Sequence, residues 1–364
     1  MKIILQTLTP IWTGGVDQTS DRLHETGLIG SLRWWYEALV RGLDGYACDP
    51  TSDDPEQRCQ FDVKAYGKTK NIEDGLKGVC SVCRLFGCTG WRRRFDLRAS
   101  TTRSEPFWLA TRDQQGKFNH WWLSQIYETE KSRLAFGELM LEFTWMRGYE
   151  NQHEIMEALL SLISQLGSIS PKPQYGFGLV YNEGSLSTIE GLSIVRKNII
   201  EPEPKKILAG VYPSLRDYWL LQCTIPEQDA KSQFATSNVV GDMQTFQKYR
   251  GQLLPVSFDI RYKLPGSSDL GLRQSYRSKH GKMPTRQVFG TLHGNEEDKH
   301  ASSVFVSHLY KKSKDEADYQ LRVWGFTRTD MTSEIAASLK SIFPHISVEQ
   351  KIIGAELLGR EVSI

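Results

Sequence analysis

"CRLFGCTGWRRRFDLRAS", Cys83 to Ser100, has a partner later in the chain in "RQVFGTLHGNEEDKHASSVFVS", Arg286 to Ser307. Each segment carries an apolar residue, Phe, Gly, a small residue and a further Gly, and each leads into a segment that reads as a strand. Phe86-Gly87 and Phe289-Gly290 therefore occupy equivalent places, both beside clusters of basic residues. Duplication of one α+β domain explains the echo most economically.

The first half supplies the elements of such a domain. Lys2 to Thr9, bounded by Pro10, reads as a buried strand. In "TGLIGSLRWWYEALVRG", Leu28, Leu32, Trp35, Leu39 and Leu43 recur at helical spacing, which places Arg33, Glu37 and Arg41 on the opposite face and Trp34 on the flank. "RRFDLRAS" and "FGELMLEFTWMR" read as strands. A second helix follows, with Asn151 and Glu154 as capping box, Ile155, Leu159, Ile163 and Leu166 as apolar stripe, and Gly167 as its end. "GFGLVYN" closes as a strand, and the order strand, helix, strand, strand, helix, strand is ferredoxin-like.

The second half repeats the order more faintly. "DYWLLQCTIP" is a first strand, "SSVFVSHLYKK" and "YQLRVWGFTR" are inner strands, Ile335, Leu339 and Ile342 mark a helix stopped by Pro344, and "KIIGAELLGREVSI" is the closing strand. The expected fold is α+β with two ferredoxin-like domains, the architecture shared with RNA-recognition motifs: residues 1–190, a linker over 191–207 containing Pro202 and Pro204, and residues 208–364. A cysteine-containing insertion occupies about 44–90 of the first domain.

Composition narrows the class. A chain of 364 residues with 39% hydrophobic and 24% charged residues suits two compact domains, and it contains no apolar run long enough to cross a bilayer. The N-terminus lacks the pattern of a secretory signal, so a cytoplasmic location is expected. Net charge is only +2, but the charge is unevenly placed. Residues 84–103 carry six arginines against Asp96, whereas 44–74 carry eight acids against four bases. A second basic run, "LRQSYRSKHGKMPTRQVFG", holds Arg273, Arg277, Lys279, Lys282 and Arg286 with Tyr276 and His280 between them. Cations interleaved with aromatic rings suit a phosphate backbone with stacked bases, although a single such run is usually just a solvated surface.

"TPIWTGG", "LIGSLRWWYEALVRG", "CDP", "CRLFGCTGW" and "KPQYGFG", in that order, resemble the RAMP superfamily of CRISPR proteins, and within it the family of subunits numbered one in the type III-B (Cmr) effector complex. The likeness spans most of the first domain and is weaker in the second, chiefly at "RQVFG". It implies two ferredoxin-like RAMP domains in a multi-subunit antiviral ribonucleoprotein. The expected partners are guide RNA held toward its 3′ end, target RNA, and the other Cmr RAMP subunits, with no membrane and no catalytic role.

"PKPQYGFGLV" reads as the RAMP glycine-rich loop, with Gly176 and Gly178 letting the backbone approach a phosphate. Lys172, Gln174, Tyr175, Gly176, Phe177 and Gly178 are the candidate contacts there, joined by Thr13, Gly14 and Gly15 after the first strand. Arg33, Arg92, Arg93, Arg94, Arg277, Lys279 and Arg286 complete the candidate RNA-binding set. The rival reading is a metal-assisted endoribonuclease that uses Asp17 or Asp21 in the same loop; a metal-free ribonuclease with His24 as general base lacks a nucleophile-base arrangement among the eight histidines.

Five of the six cysteines fall between Cys48 and Cys88. Cys80-x-x-Cys83 supplies two ligands at the bite a structural zinc needs, and Cys48 and Cys59 are the expected other two. Cys88 is held in reserve because it aligns with Thr291 of the second domain, where no cysteine cluster exists. Free thiols in a reduced protein are the plain alternative, and a thioredoxin-like redox pair is a remoter one.

Overall fold

A computed structural model of the chain describes residues 1–15, 20–106, 109–112, 118–119, 133–204, 212–235, 239–241, 252–262, 271–291 and 300–361. In the first half the main elements are β1 (Lys2–Thr7), α1 (Glu25–Gly42), α2 (Ser81–Phe86), β2 (Phe95–Pro106), β3 (Arg133–Trp145), α3 (His153–Leu166), β4 (Val180–Tyr181) and α4 (Thr188–Lys197). The sheet runs β2-β3-β1-β4 with every pair antiparallel, the strand order of a ferredoxin-like domain. Its core joins Leu5 of β1 and Leu139, Leu141 and Phe143 of β3 to Leu28, Leu32 and Leu39 of α1 and Leu159 and Ile163 of α3. Each of these side chains contributes about 1.5–3 kcal/mol through burial. β1 is a buried strand on its Ile3, Leu5 and Thr7 face only, with Ile4 half-exposed on the other.

The second half contains β5 (Tyr218–Ile225), α5 (Leu272–His280), α6 (Lys282–Phe289), β6 (Val304–Val306), β7 (Tyr319–Phe326), α7 (Thr332–Ile342), β8 (Ser347–Ile353) and α8 (Gly354–Glu361). β8-β5-β7-β6 repeats the ferredoxin-like order with antiparallel pairing, and Leu309–Tyr310 and Leu253–Leu254 extend the sheet.

The echo in the sequence is a repeated turn. α2 ends at Phe86 with Gly87 at φ +91°, and α6 ends at Phe289 with Gly290 at φ +77°. A Cβ at Gly87 would lie 2.8 Å from the Arg93 nitrogen, and one at Gly290 2.8 Å from the His300 carbonyl oxygen, so both turns require glycine. Cys88 then bridges Trp91 as Thr291 bridges His300. The Arg94 N–H donates to the Leu85 carbonyl at 3.0 Å, and the Ser303 N–H donates to that of Val288 at 2.9 Å.

Several local expectations are corrected. No capping box forms at Asn151, because a 3-10 turn over Glu150–Gln152 runs directly into α3. Most of "GFGLVYN" is loop, since Gly176 and Gly178 hold φ near +86° and +85° and turn Phe177 into the interior. The C-terminal stretch splits at Gly354 into the closing strand β8 and the helix α8. The segment expected to begin a linker at residue 191 lies inside α4, which a Ser187–Glu190 capping box starts and Leu192 and Val195 anchor in the first core.

A buried clasp joins the second sheet to the end of α3. From β7, Arg322 donates to the carbonyls of Ser164 and Gly167 at 3.0 and 3.2 Å, and Tyr218 of β5 donates its hydroxyl to that of Leu166. These acceptors belong to the C-terminal end of α3, where backbone carbonyls have no partner within the helix. Beside them Trp34 and Trp35 of α1 meet Phe326 edge-on at 5.2 and 5.6 Å.

Candidate nucleic-acid interface and metal centre

Between the domains lies a cleft of about 890 Å³. α1 forms one wall with Gly27, Gly30, Ser31 and Trp34, residues that share a helix face. The glycine-rich loop contributes Gln174 and Tyr175, while the second domain contributes Arg261, Tyr262, Arg273, the Phe289–Thr291 turn, Phe305, Phe326 and Arg328. Apolar rings with a few convergent cations are the lining expected of a binding cleft. Of the two basic helices, α6 ends at the Phe289-Gly290 turn at its edge, and Arg273 at the start of α5 reaches the same turn.

Two lining features were missed by the sequence reading. Arg261 is buried and holds the turn by donating to the carbonyls of Phe289 at 2.8 Å and Val304 at 2.5 Å. Gly30 lies inside α1, where glycine costs about 0.5–1 kcal/mol relative to alanine, yet a Cβ there meets nothing within 4 Å. Packing against the described residues does not account for this glycine. The available signal was a helix-interior glycine one turn before the Trp pair.

The glycine-rich loop is fixed by the second domain. Ser257 donates its hydroxyl to the Tyr175 carbonyl at 3.0 Å, the Tyr175 ring meets Phe258 at 5.5 Å, and a Cβ on Gly176 would lie 2.9 Å from the His308 nitrogen. Phe177 is fully buried against His308, ring centroids 5.2 Å apart, so it is a packing residue. Lys172 lies 4.7 Å over the Trp12 ring, and burial lowers its pKa. Burial also pushes His308 down to about 3. Below pH 6.5 the unfolded chain therefore takes up a proton that the folded chain refuses, so stability should be lost as pH falls from 6.5 toward 3. The expected loss is a few kcal/mol, and His308→Gln should flatten this part of a pH-dependent denaturation series.

The remaining candidates separate. Thr13 is buried, accepting from the His24 N–H at 2.8 Å and donating to the Arg22 carbonyl at 3.2 Å, while Gly14 and Gly15 are half-buried beside it. Arg94 is buried with its guanidinium 3.6 Å over Trp91 and 5.0 Å from Tyr149. Arg92 is exposed and pairs with both carboxylate oxygens of Asp96 at 3.2 and 3.1 Å; Arg93 reaches Asp96 at 3.3 Å. Arg277 and Lys279 are exposed and Arg286 half-buried on α5 and α6. Asp17 lies outside the described residues, and Asp21 pairs with His24 at 2.7 Å.

Cys48, Cys59, Cys80 and Cys83 are brought together, all buried, with their sulfurs within 4.8 Å of one another. A tetrahedral zinc with bonds of about 2.3 Å places its sulfurs about 3.8 Å apart, so the donor set fits. Cys48 and Cys83 already stand at 3.4 Å. Cys80 is the N-cap of α2 and Cys83 sits in its first turn, while the Cys80 N–H donates to the Cys59 sulfur at 3.3 Å. Cys88 is half-buried and outside the group. Among the described residues no carboxylate or histidine joins a cluster able to hold a metal.

The expected solvent face of α1 is covered by this insertion. Arg33 donates to the Cys83 sulfur at 3.1 Å, to the Gly87 carbonyl at 3.0 Å and to Glu37 at 2.9 Å, and Glu37 is buried. Arg33 is thus turned toward the cysteines, because the insertion supplies the partners that water was expected to supply.

Residues 4–181 match the model of the RAMP superfamily. No curated protein matches the chain. Among solved structures, apo Cmr1 from Pyrococcus furiosus is similar at 11% identity and a TM-score of 0.43, over 95% of this chain and 97% of that one. A chain in the cryo-EM structure of type III-B Cmr-beta bound to cognate target RNA and AMPPnP in the presence of ssDNA is similar at 11% identity and a TM-score of 0.38. That match covers 94% of this chain and 98% of that one.

Proposed function

We propose, from the match of residues 4–181 to the model of the RAMP superfamily, that the chain is a non-catalytic RNA-binding subunit of a type III-B CRISPR (Cmr) effector complex. Its role there is to hold guide RNA toward its 3′ end and to help engage target RNA beside the other Cmr subunits. The observation that carries the RNA reading is the interdomain cleft, where Gln174 and Tyr175 of the glycine-rich loop face Arg273, Arg328 and the aromatic lining of the second domain. Single-stranded bases stack on such rings while cations track the backbone. Arg277, Lys279 and Arg286 extend the positive surface from the cleft edge along α5 and α6, and Lys172, Arg92 and Arg93 add outlying cations. The four cysteines hold a structural zinc that organises the insertion, with no part in a reaction.

Binding of single-stranded RNA to the full chain tests this reading. Reversing Arg277, Lys279 and Arg286 to glutamate should weaken binding across sequences and flatten the dependence of log K on log salt. Gly30→Trp should fill the cleft and weaken binding about tenfold, the equivalent of losing a stacked base. It should leave folding intact, since α1 has room at that position. Wild-type affinity and salt slope in both variants would contradict the assignment.

A further inference from the structure

The zinc reading leaves a buried charge to be balanced. A metal dication with four thiolates carries two net negative charges, and an uncompensated charge of this kind is costly in the interior. We propose that Arg33 is the positioning residue of the cysteine centre: its guanidinium compensates the sulfur charge and, with Arg41, fastens the centre to α1, the wall of the cleft. The proposal rests on the cysteines holding metal.

The second domain separates this role from ordinary packing. There Arg273 of α5 donates to the Gly290 carbonyl at 3.2 Å, as Arg33 of α1 donates to the equivalent Gly87 carbonyl at 3.0 Å. An arginine clamping the Phe-Gly turn is thus common to both domains. The contact at 3.1 Å between Arg33 and the Cys83 sulfur is particular to the first, where the cysteines are. Glu37 binds Arg33 at 2.9 Å and Arg41 at 3.5 Å, keeping both guanidinium groups in place. Arg41 in turn donates to the carbonyl of Cys48 at 3.2 Å and to that of Ala47 at 3.3 Å. Two residues of one helix therefore reach two of the four cysteines, while Gly27, Gly30 and Trp34 of that helix line the cleft. Such outer contacts orient ligands and tune the metal, and losing one typically weakens binding 10- to 100-fold.

The test uses the full chain loaded with zinc or, for its optical spectrum, with cobalt(II). Arg33→Met should weaken zinc binding about 10- to 100-fold and shift the thiolate-to-cobalt charge-transfer bands, because the sulfur loses a charged donor. Arg33→Lys should restore part of both, and it decides the matter if the methionine variant does not fold. Arg273→Met removes the matching clamp in the second domain and should leave the cobalt spectrum unchanged. Wild-type zinc affinity and spectrum in both Arg33 variants would overturn the role of Arg33 while leaving the metal site standing. A wild-type chain that takes up neither ion would overturn both.

Discussion

Serine at Cys80 and Cys83 together is expected to abolish stoichiometric zinc binding and to unfold the insertion around residues 44–90. The four sulfurs are buried within 4.8 Å of one another, and Tyr46, Phe61, Leu76 and Val79 of the insertion share the core that contains them. The short helices of this region, Val63–Thr69 and Ile72–Leu76, are too brief to be stable alone. Metal binding in comparable small sites supplies about 10 kcal/mol or more of folding free energy. Metal content together with hydrogen exchange across residues 44–90 reads the effect. Cys88→Ser serves as control and should retain full zinc, because Cys88 stands outside the cluster.

Arg322→Met should cost about 3 kcal/mol and loosen one domain from the other. The arginine is buried, and its removal leaves the carbonyls of Ser164 and Gly167 without their donor at the end of α3. Each buried acceptor left unsatisfied costs about 1–3 kcal/mol. Denaturant unfolding measures the loss, and faster exchange at the C-terminal end of α3 would locate it. The cleft is walled by both domains, so RNA binding should weaken with it.

Much of the fold was legible because apolar periodicity survives duplication. Leu28, Leu32 and Leu39 announced α1, and Phe86-Gly87 against Phe289-Gly290 announced the repeat, since a turn with positive φ and no room for a Cβ admits glycine alone. The grouping of Cys48 and Cys59 with Cys80 and Cys83 was legible from Cys80-x-x-Cys83 and from the alignment of Cys88 with Thr291. Long-range contacts were not legible. Arg33, Glu37 and Arg41 have the spacing of a solvated helix face, and only the insertion folding over them makes them buried partners of the cysteines. Arg94 looked equivalent to Arg92 and Arg93 in an arginine triplet, yet the rings of Trp91 and Tyr149 withdraw it from solvent. The cleft itself is assembled from both halves of the chain, so no local pattern could name Arg261 as its lining, and the helix-interior Gly30 was the one local sign of it.

The most direct measurement is photocrosslinking of single-stranded RNA containing 4-thiouridine to the full chain, followed by identification of the attached peptides. The cleft account predicts crosslinks on the α1 segment around Trp34, on the glycine-rich loop around Tyr175 and beside Phe305, with Gly30→Trp suppressing them. Crosslinks confined to surfaces away from these three segments, and unaffected by Gly30→Trp, would contradict it.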